Sequence, residues 1–357
     1  MNNQYKILAI NPGSTSTKLA LYEGDQEIFR TSIKHDENDL NTFANVIKQK
    51  DYRKKEVLHA IQSNGISCAD LSAVVGRGGM LKSLKSGTYL INKQMIDDLE
   101  CSRFGEHASN LGAIIAAEIG DNHDIPAYIV DPVVVDELSD IARLSGIPEV
   151  ERQSQLHALN IKAVSRKASR YFNKPRESLH FVIVHLGSGI SIAAERGGKI
   201  IDVNNANNEG PFSPERTGTL PAKQLVKLCF SGKYTEDELL DRITKTGGLY
   251  AYLGTKNFTE IEEQMNRGHK QATFVVNGMI YQIAKEIGAM STVLGGEVDA
   301  ILLTGGITFS DYVVNELISR VQFLAPIYSF PGEEELEALA LGALRVLLEQ
   351  EPVNRYE

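Results

Sequence analysis

The chain has 357 residues, 42% hydrophobic and 23% charged, an ordinary globular composition with length for about two domains of roughly 150 residues. Asp and Glu outnumber Lys and Arg by 46 to 37, a formal net charge of −9, which argues against nucleic acid and anionic membranes as partners. Three scattered cysteines (Cys68, Cys101, Cys229) exclude a full disulfide framework, and no apolar stretch approaches a signal peptide or the ~18 residues of a membrane helix, so the expected compartment is cytoplasmic.

Apolar runs predict strands over Tyr5–Ile10 and Thr17–Tyr22, joined by an Asn-Pro-Gly-Ser turn. A broken helical pattern follows from Asp39 to Ile61, then a short strand Ser72–Val75 running into Gly76-Arg77-Gly78-Gly79. Glu106–Ile119 reads as a helix, Ala127–Val130 as a strand halted by Asp131-Pro132, and Pro148 to Phe172 as one long helix with proline in its first turn. The charged, proline-bearing stretch Asn173–Leu179 reads as the boundary between domains 1–175 and 176–357.

The second half repeats the opening. Phe181–Val184 and Ile190–Ala194 flank a His185-Leu186-Gly187-Ser188-Gly189 turn, and Gly197-Gly198 turns into Lys199–Val203. Laying Asn11 on His185 puts Gly13 on Gly187, Ser14 on Ser188, Ala20 on Ala194 and Gly24 on Gly198, which argues for two halves of one architecture. Helices are expected at Pro221–Phe230, at Glu236–Ile243 and through Thr259–Leu294. A strand Ala300–Thr304 then meets Gly305-Gly306, a helix that Ser310 could cap follows, and a last helix runs from Glu333 to Leu348, returning to the N-terminal domain.

Three glycine turns directly after buried strands suit phosphate, because glycine lets backbone N–H groups converge on an anion. Asn11-Pro12-Gly13-Ser14-Thr15-Ser16-Thr17-Lys18 crowds four hydroxyls and a lysine into one turn. Taken alone it reads equally as a polar hairpin, and a histidine at a strand end such as His185 is more often one satisfied in the core. Neither a P-loop nor a dinucleotide fingerprint is present.

Together, NPGSTSTK, EHASNLGA, VDPVVVDE, HLGSGIS, NNEGPFSPERTG and LLTGGI resemble the butyrate-kinase branch of the acetokinase family, over about Lys6 to Leu348. The resemblance implies an α/β fold of two duplicated βββαβαβα-type domains, actin-like ATPase and ribonuclease H-like, with an interdomain cleft. It implies ATP/ADP and Mg²⁺ as cofactors and a small carboxylic acid as partner, with butyrate and ATP reversibly giving butyryl phosphate and ADP. Propionate or isobutyrate is the alternative acceptor, and a nucleotide-gated clamp without acyl transfer is the alternative from another class. Uneven apolar surface on the C-terminal helices points to a homo-oligomer, a dimer or higher.

Residue by residue, the resemblance places Asn11, Ser14, Ser16 and Lys18 in the first phosphate motif and His185, Gly187, Ser188 and Gly189 in the second, although acetate kinases usually carry asparagine at Ser188. Gly305 and Gly306 match the adenosine motif. His157 and His107 fall on histidines of the acyl-phosphate site, Asp131 on an aspartate implicated in catalysis with a part in placing the metal, and Arg216 on an arginine that stabilises the transferring group. Arg77 stands for a second arginine from a shifted position, and Glu334, flanked by Glu333 and Glu335, for the magnesium-linked glutamate. Asn257 and Thr259 replace charged residues near the adenine, which leaves nucleotide preference open. Leu156 and Gly76, replacing phenylalanine and valine, are expected to widen the acyl pocket.

Overall fold

A computed structural model describes residues 5–357. The chain begins with β1 (Lys6–Pro12), β2 (Ser16–Glu23), β3 (Gln26–Lys34), α1 (Glu37–Leu40), α2 (Lys50–Ser63) and β4 (Ala73–Arg77). Next come β5 (Thr88–Leu90), α3 (Lys93–Glu100), α4 (Asn110–His123), β6 (Ala127–Val130), α5 (Ala158–Phe172), β7 (His180–Leu186), β8 (Ile190–Arg196) and β9 (Lys199–Val203). Helices α6 (Ala222–Cys229), α7 (Glu236–Thr244), α8 (Gly248–Leu253), α9 (Phe258–Asn266) and α10 (Lys270–Val293) then run together. The chain closes with β10 (Ala300–Gly305), α11 (Asp311–Val321), β11 (Ile327–Pro331), α12 (Glu335–Leu347) and β12 (Asn354–Arg355). Among the described residues no helix is long and apolar enough to cross a membrane.

The described chain forms two compact units, one holding the residues up to Asp136 with Glu334–Glu357, the other Glu137–Glu333. The division falls at Asp136, ahead of the expected Asn173–Leu179 stretch, because α5 packs on β7 and β10. In the first unit the strand order is β12-β5-β6-β4-β1-β2-β3. β1, β4 and β6 are parallel neighbours, and β2 and β3 return antiparallel. Helices cover both faces, so the parallel strands read as continuous apolar runs. Leu8, Ile10, Val74 and Ile129 join the core with Leu111 and Ile115 of α4, while the alternate residue Val130 meets Gly342 of α12.

The second unit has the order β11-β10-β7-β8-β9, with β11, β10 and β7 parallel and β8 and β9 antiparallel. It repeats the plan of the first: a three-stranded antiparallel meander whose first strand takes parallel neighbours on its other side. Even the ladder irregularities recur, at Leu21/Tyr22 and at Ala194/Glu195. Gly24 (φ 60°) and Gly198 (φ 80°) both take the left-handed backbone that the second turn of each meander requires.

Several helix boundaries differ from the sequence pattern: the Asp39–Ile61 run is α-helical only from Lys50 after the short α1, the Glu106 helix begins at Asn110, and the α5 and α9–α10 segments differ for reasons their contacts show. The expected helix from Pro148 starts only at Ala158. Ahead of it, Arg152 is tied to Asp202, Glu209 and the Val203 carbonyl, which holds the segment on an irregular path. The run Thr259–Leu294 is two helices, because Gly268 leaves α9 at φ 84° and His269 caps α10 by accepting from Ala272 N. Ser310 caps α11 through Val313 N.

Gly76 has a structural task. A Cβ there would lie 2.0 Å from the Gly112 carbonyl oxygen, and one on Gly112 would lie 2.5 Å from that of Arg77. The missing side chain admits the α4 backbone against β4 and gives no room to a ligand, which corrects the expectation that Gly76 widens the acyl pocket. Gly76→Ala should therefore lower unfolding free energy by about 3 kcal/mol in denaturant titrations, since neither backbone can yield. A second expectation concerns His35, buried with its Nε2 2.8 Å from Thr17 Oγ1. Burial, helped by the Arg53 charge, pushes the imidazole down to about 4, so it is neutral when folded. Its contribution is complete above the unfolded value near 6.5 and is lost as pH falls toward 4, worth up to ~3 kcal/mol. Acid unfolding followed across that window should be visibly shallower in His35→Gln.

Candidate active site

In each unit the singled-out residues collect at the carboxyl ends of the parallel strands, where open α/β sheets bind ligands. In the first unit Asn11 lies near the end of β1, Arg77 ends β4 and Asp131 follows β6. Gly13 N donates to Ser16 O at 2.7 Å and closes the β1–β2 turn, leaving Ser14, Thr15 and Lys18 exposed. Asn11 is buried, and its Nδ2 donates to Glu335 Oε2 at 2.5 Å; Arg77 pairs with the other oxygen of the same carboxylate. Glu334 instead lies at the surface, 3.4 Å from Arg30. Of the three consecutive glutamates, Glu335 is the one that joins Asn11 and Arg77.

Asp131 is buried and holds φ 39°, a conformation that costs a non-glycine residue on the order of 1–3 kcal/mol. Ser86 Oγ (2.6 Å) and Gly87 N (2.8 Å) both donate to its Oδ1 and fix it there. His107 precedes α4 on the exposed surface; Ser109 N donates to its Nδ1, which places the neutral ring's proton on Nε2.

In the second unit His185, near the end of β7, stacks on His157, the residue ahead of α5, with centroids 3.9 Å apart and planes 15° from parallel. His185 Nδ1 lies 2.9 Å from Asn160 Oδ1, and its Nε2 3.2 Å from Glu333 Oε1. His157 Nδ1 lies 2.9 Å from Ser191 Oγ on β8. Gly187 and Gly189 are explained by this packing. A Cβ at Gly187 would lie 2.9 Å from His185 Nε2, and one at Gly189 would lie 2.3 Å from Arg216 Nη1.

Arg216 is partly buried, and its Nη1 donates to the Ala206 carbonyl at 2.9 Å. Its Nε is buried without a partner, and burial lowers the guanidinium from the usual arginine range. A charged donor left so is stabilised strongly by an incoming anion. Ser213 anchors the segment, donating from Oγ to Ser188 O at 2.5 Å and accepting from Arg216 N. At the third turn Gly305 (φ 95°) would drive a Cβ into Leu186 O, whereas Gly306 faces open space and allows a ligand to approach the backbone.

Asn160, Ser191 and Ser213 were not singled out in the sequence, where Glu333 and Glu335 stood only as the neighbours of Glu334 that left its register open. Ser191 had a signal there, because the expected hairpin places it opposite His185, and Ser213 had one in the SPERTG motif that also carries Arg216. Asn257 caps α9 through Thr259 N, a local helical task. Among the described residues no three His, Cys, Asp or Glu side chains converge on a metal position. Glu335 with Asn11 nonetheless fits Mg²⁺ brought with a nucleotide, which keeps its waters and phosphate oxygens and takes one or two protein carboxylates.

Comparison with known proteins bears on the family and the fold. The acetokinase family profile matches residues 149–328. "Probable butyrate kinase 2" of Caldanaerobacter subterraneus subsp. tengcongensis is 50% identical over 352 residues, 99% of each chain. Two solved structures share the fold: an acetate kinase from Porphyromonas gingivalis (TM-score 0.78, 19% identity, 96% of this chain and 100% of that one) and a propionate kinase from Francisella tularensis (0.75, 17%, 94% and 98%). The architecture of two α/β sheets is that of the actin-like ATPases. With half the residues shared along 99% of its length, the chain belongs to the acetokinase family.

Proposed function

We propose that this chain is a butyrate kinase, catalysing reversible transfer of the γ-phosphoryl group of Mg·ATP to the carboxylate of butyrate. The observation that carries the reading is the 50% identity, over 99% of both chains, to a relative of that name. The residues supply a consistent chemistry. A carboxylate oxygen attacks the γ-phosphorus, the bond to the bridging oxygen breaks, and ADP leaves with the electron pair. No proton is taken up or released, so no general base is required; catalysis reduces to holding anions together in line.

In this reading Arg216 neutralises the transferring group, its unpartnered Nε being the donor a phosphoryl oxygen satisfies. Arg77, His157 and His107 orient the carboxylate. The turns at Ser14–Lys18, Gly187–Gly189 and Gly305-Gly306 hold the nucleotide. Glu335, in place of Glu334, takes the metal-linked position with Asn11, and Asp131 acts beside it. Bound Mg²⁺ would supply charge neutralisation on the phosphates. Leu156, buried at 4% exposure, remains the residue proposed to give room for a longer acid. A homo-oligomer is supported by aromatic side chains such as Phe274 (79% exposed) and Tyr281 that α10 leaves to solvent; the compartment is proposed to be the cytoplasm.

Two outcomes test the reading. Arg216→Ala should cost roughly 10³-fold or more in turnover with the unfolding midpoint little changed, and Arg216→Lys should restore little of it, because a point charge cannot replace the planar fork. Residual turnover within tenfold of the parent would remove Arg216 from its role. With acetate, propionate, butyrate, isobutyrate and valerate, hydroxylamine-trapped acyl phosphate should peak at butyrate and fall several-fold per methylene on the short side. A peak at another acid moves the substrate and keeps the mechanism. No acyl phosphate from any acid, despite nucleotide binding, would favour the clamp.

A further inference from the structure

Arg53, on α2, is 1% exposed and is among the largest fully buried side chains in the protein. A buried guanidinium is normally matched by a carboxylate, because an uncompensated charge costs several kcal/mol. Among the described residues none of the hydrogen-bond partners of Arg53 is charged. Its Nη1 donates to Gly13 O and its Nη2 to Ser14 O, both at 2.7 Å, and its Nε donates to Gln49 Oε1 at 3.0 Å. Longer contacts reach Ser16 O and Thr17 Oγ1. The two short main-chain bonds are both to the β1–β2 turn.

The direction of those carbonyls fixes the direction of the amides. In a planar trans peptide the C=O of one residue and the N–H of the next point opposite ways, and the described chain has no cis bonds. Drawing Gly13 O and Ser14 O inward to Arg53 therefore turns the N–H groups of Ser14 and Thr15 outward. Both residues are exposed, and neither N–H donates to another group among the described residues. A fixed positive charge directly behind two outward amides makes a cradle for an anion.

We propose that Arg53 is a positioning residue: it holds the Gly13–Ser16 turn with the Ser14 and Thr15 amides presented to the phosphate chain of the nucleotide, without touching the nucleotide. This rests on the assignment of that turn to nucleotide phosphates under the proposed function. Lysine at position 53 keeps the charge but lacks the fork that grips both carbonyls at once.

The test is steady-state kinetics of the full-length chain with Mg·ATP and butyrate. Arg53→Lys is expected to raise KM for Mg·ATP about tenfold while kcat and KM for butyrate stay within about twofold, as the loss of one charge-assisted bond would give. Gln49→Leu, which releases only the Nε contact, is expected to shift the same constant in the same direction by a smaller factor and serves if Arg53→Lys does not fold. A purely structural role would lower the unfolding midpoint and the fraction of active enzyme, reducing kcat with KM for Mg·ATP unmoved; that result, or unchanged constants in both variants, overturns the proposal. Lys18→Ala separates the two levels. If it leaves KM for Mg·ATP unchanged, the assignment of the turn to phosphates fails; if it raises KM and the Arg53 and Gln49 variants do not, only the role of Arg53 fails.

Discussion

A Cβ at Gly189 would stand 2.3 Å from the guanidinium of Arg216, and one at Gly305 equally close to the carbonyl of Leu186. The second unit is organised around spaces of this kind, where the absence of a side chain lets a charged group or a backbone approach more closely than any other residue would allow. The stacked pair His157–His185, the contact of His185 with Glu333 and the seat of Arg216 all depend on Gly187 and Gly189. The first unit uses the same device at several positions, among them Gly76 and Gly112, which seat α4 on β4 and so fix the strand end that bears Arg77.

The second theme is how an acidic chain keeps positive charge for anionic ligands. Several arginines here are matched by carboxylates, as Arg152 is by Asp202 and Glu209, and their charge is spent within the fold. Arg53 and Arg216 are held chiefly by main-chain carbonyls. A carbonyl orients a guanidinium and satisfies part of its hydrogen bonding without cancelling its charge. In the proposed reading both positive ends serve a phosphate, one directly and one through the peptide dipoles it aligns. Arg77 is the intermediate case, paired with Glu335, whose other oxygen is engaged by Asn11.

Part of the fold was legible because the parallel strands are buried on both faces and so appear as unbroken apolar runs, as at Ala127–Val130, which was bounded correctly to the residue; the antiparallel edge strand Lys199–Val203 was legible instead from the Gly197-Gly198 turn ahead of it. The duplication was legible in Gly13/Gly187 and Gly24/Gly198; positive φ at Gly24 and Gly198 and the close approach of His185 at Gly187 leave little choice but glycine, whereas a Cβ at Gly13 would meet only ordinary contacts. Helix α5 was misjudged at its start, because Pro148 is a local signal whereas the path of residues 149–157 is set by the ties of Arg152 to distant residues. Arg53 was unreadable for the same reason, being one basic residue among several on a polar helix until folding brings the β1–β2 turn to it.

The sequence by itself determined the periodicity of the sheets, the glycine turns that follow buried strands, and the motifs that mark the family, because each is a property of neighbours along the chain. Only the tertiary structure decided which of Glu333, Glu334 and Glu335 meets Asn11 and Arg77, what fills the space beside Gly76, and which cations keep their charge. Those outcomes depend on groups remote in sequence competing for the same buried volume and the same hydrogen bonds, and no local pattern records who wins.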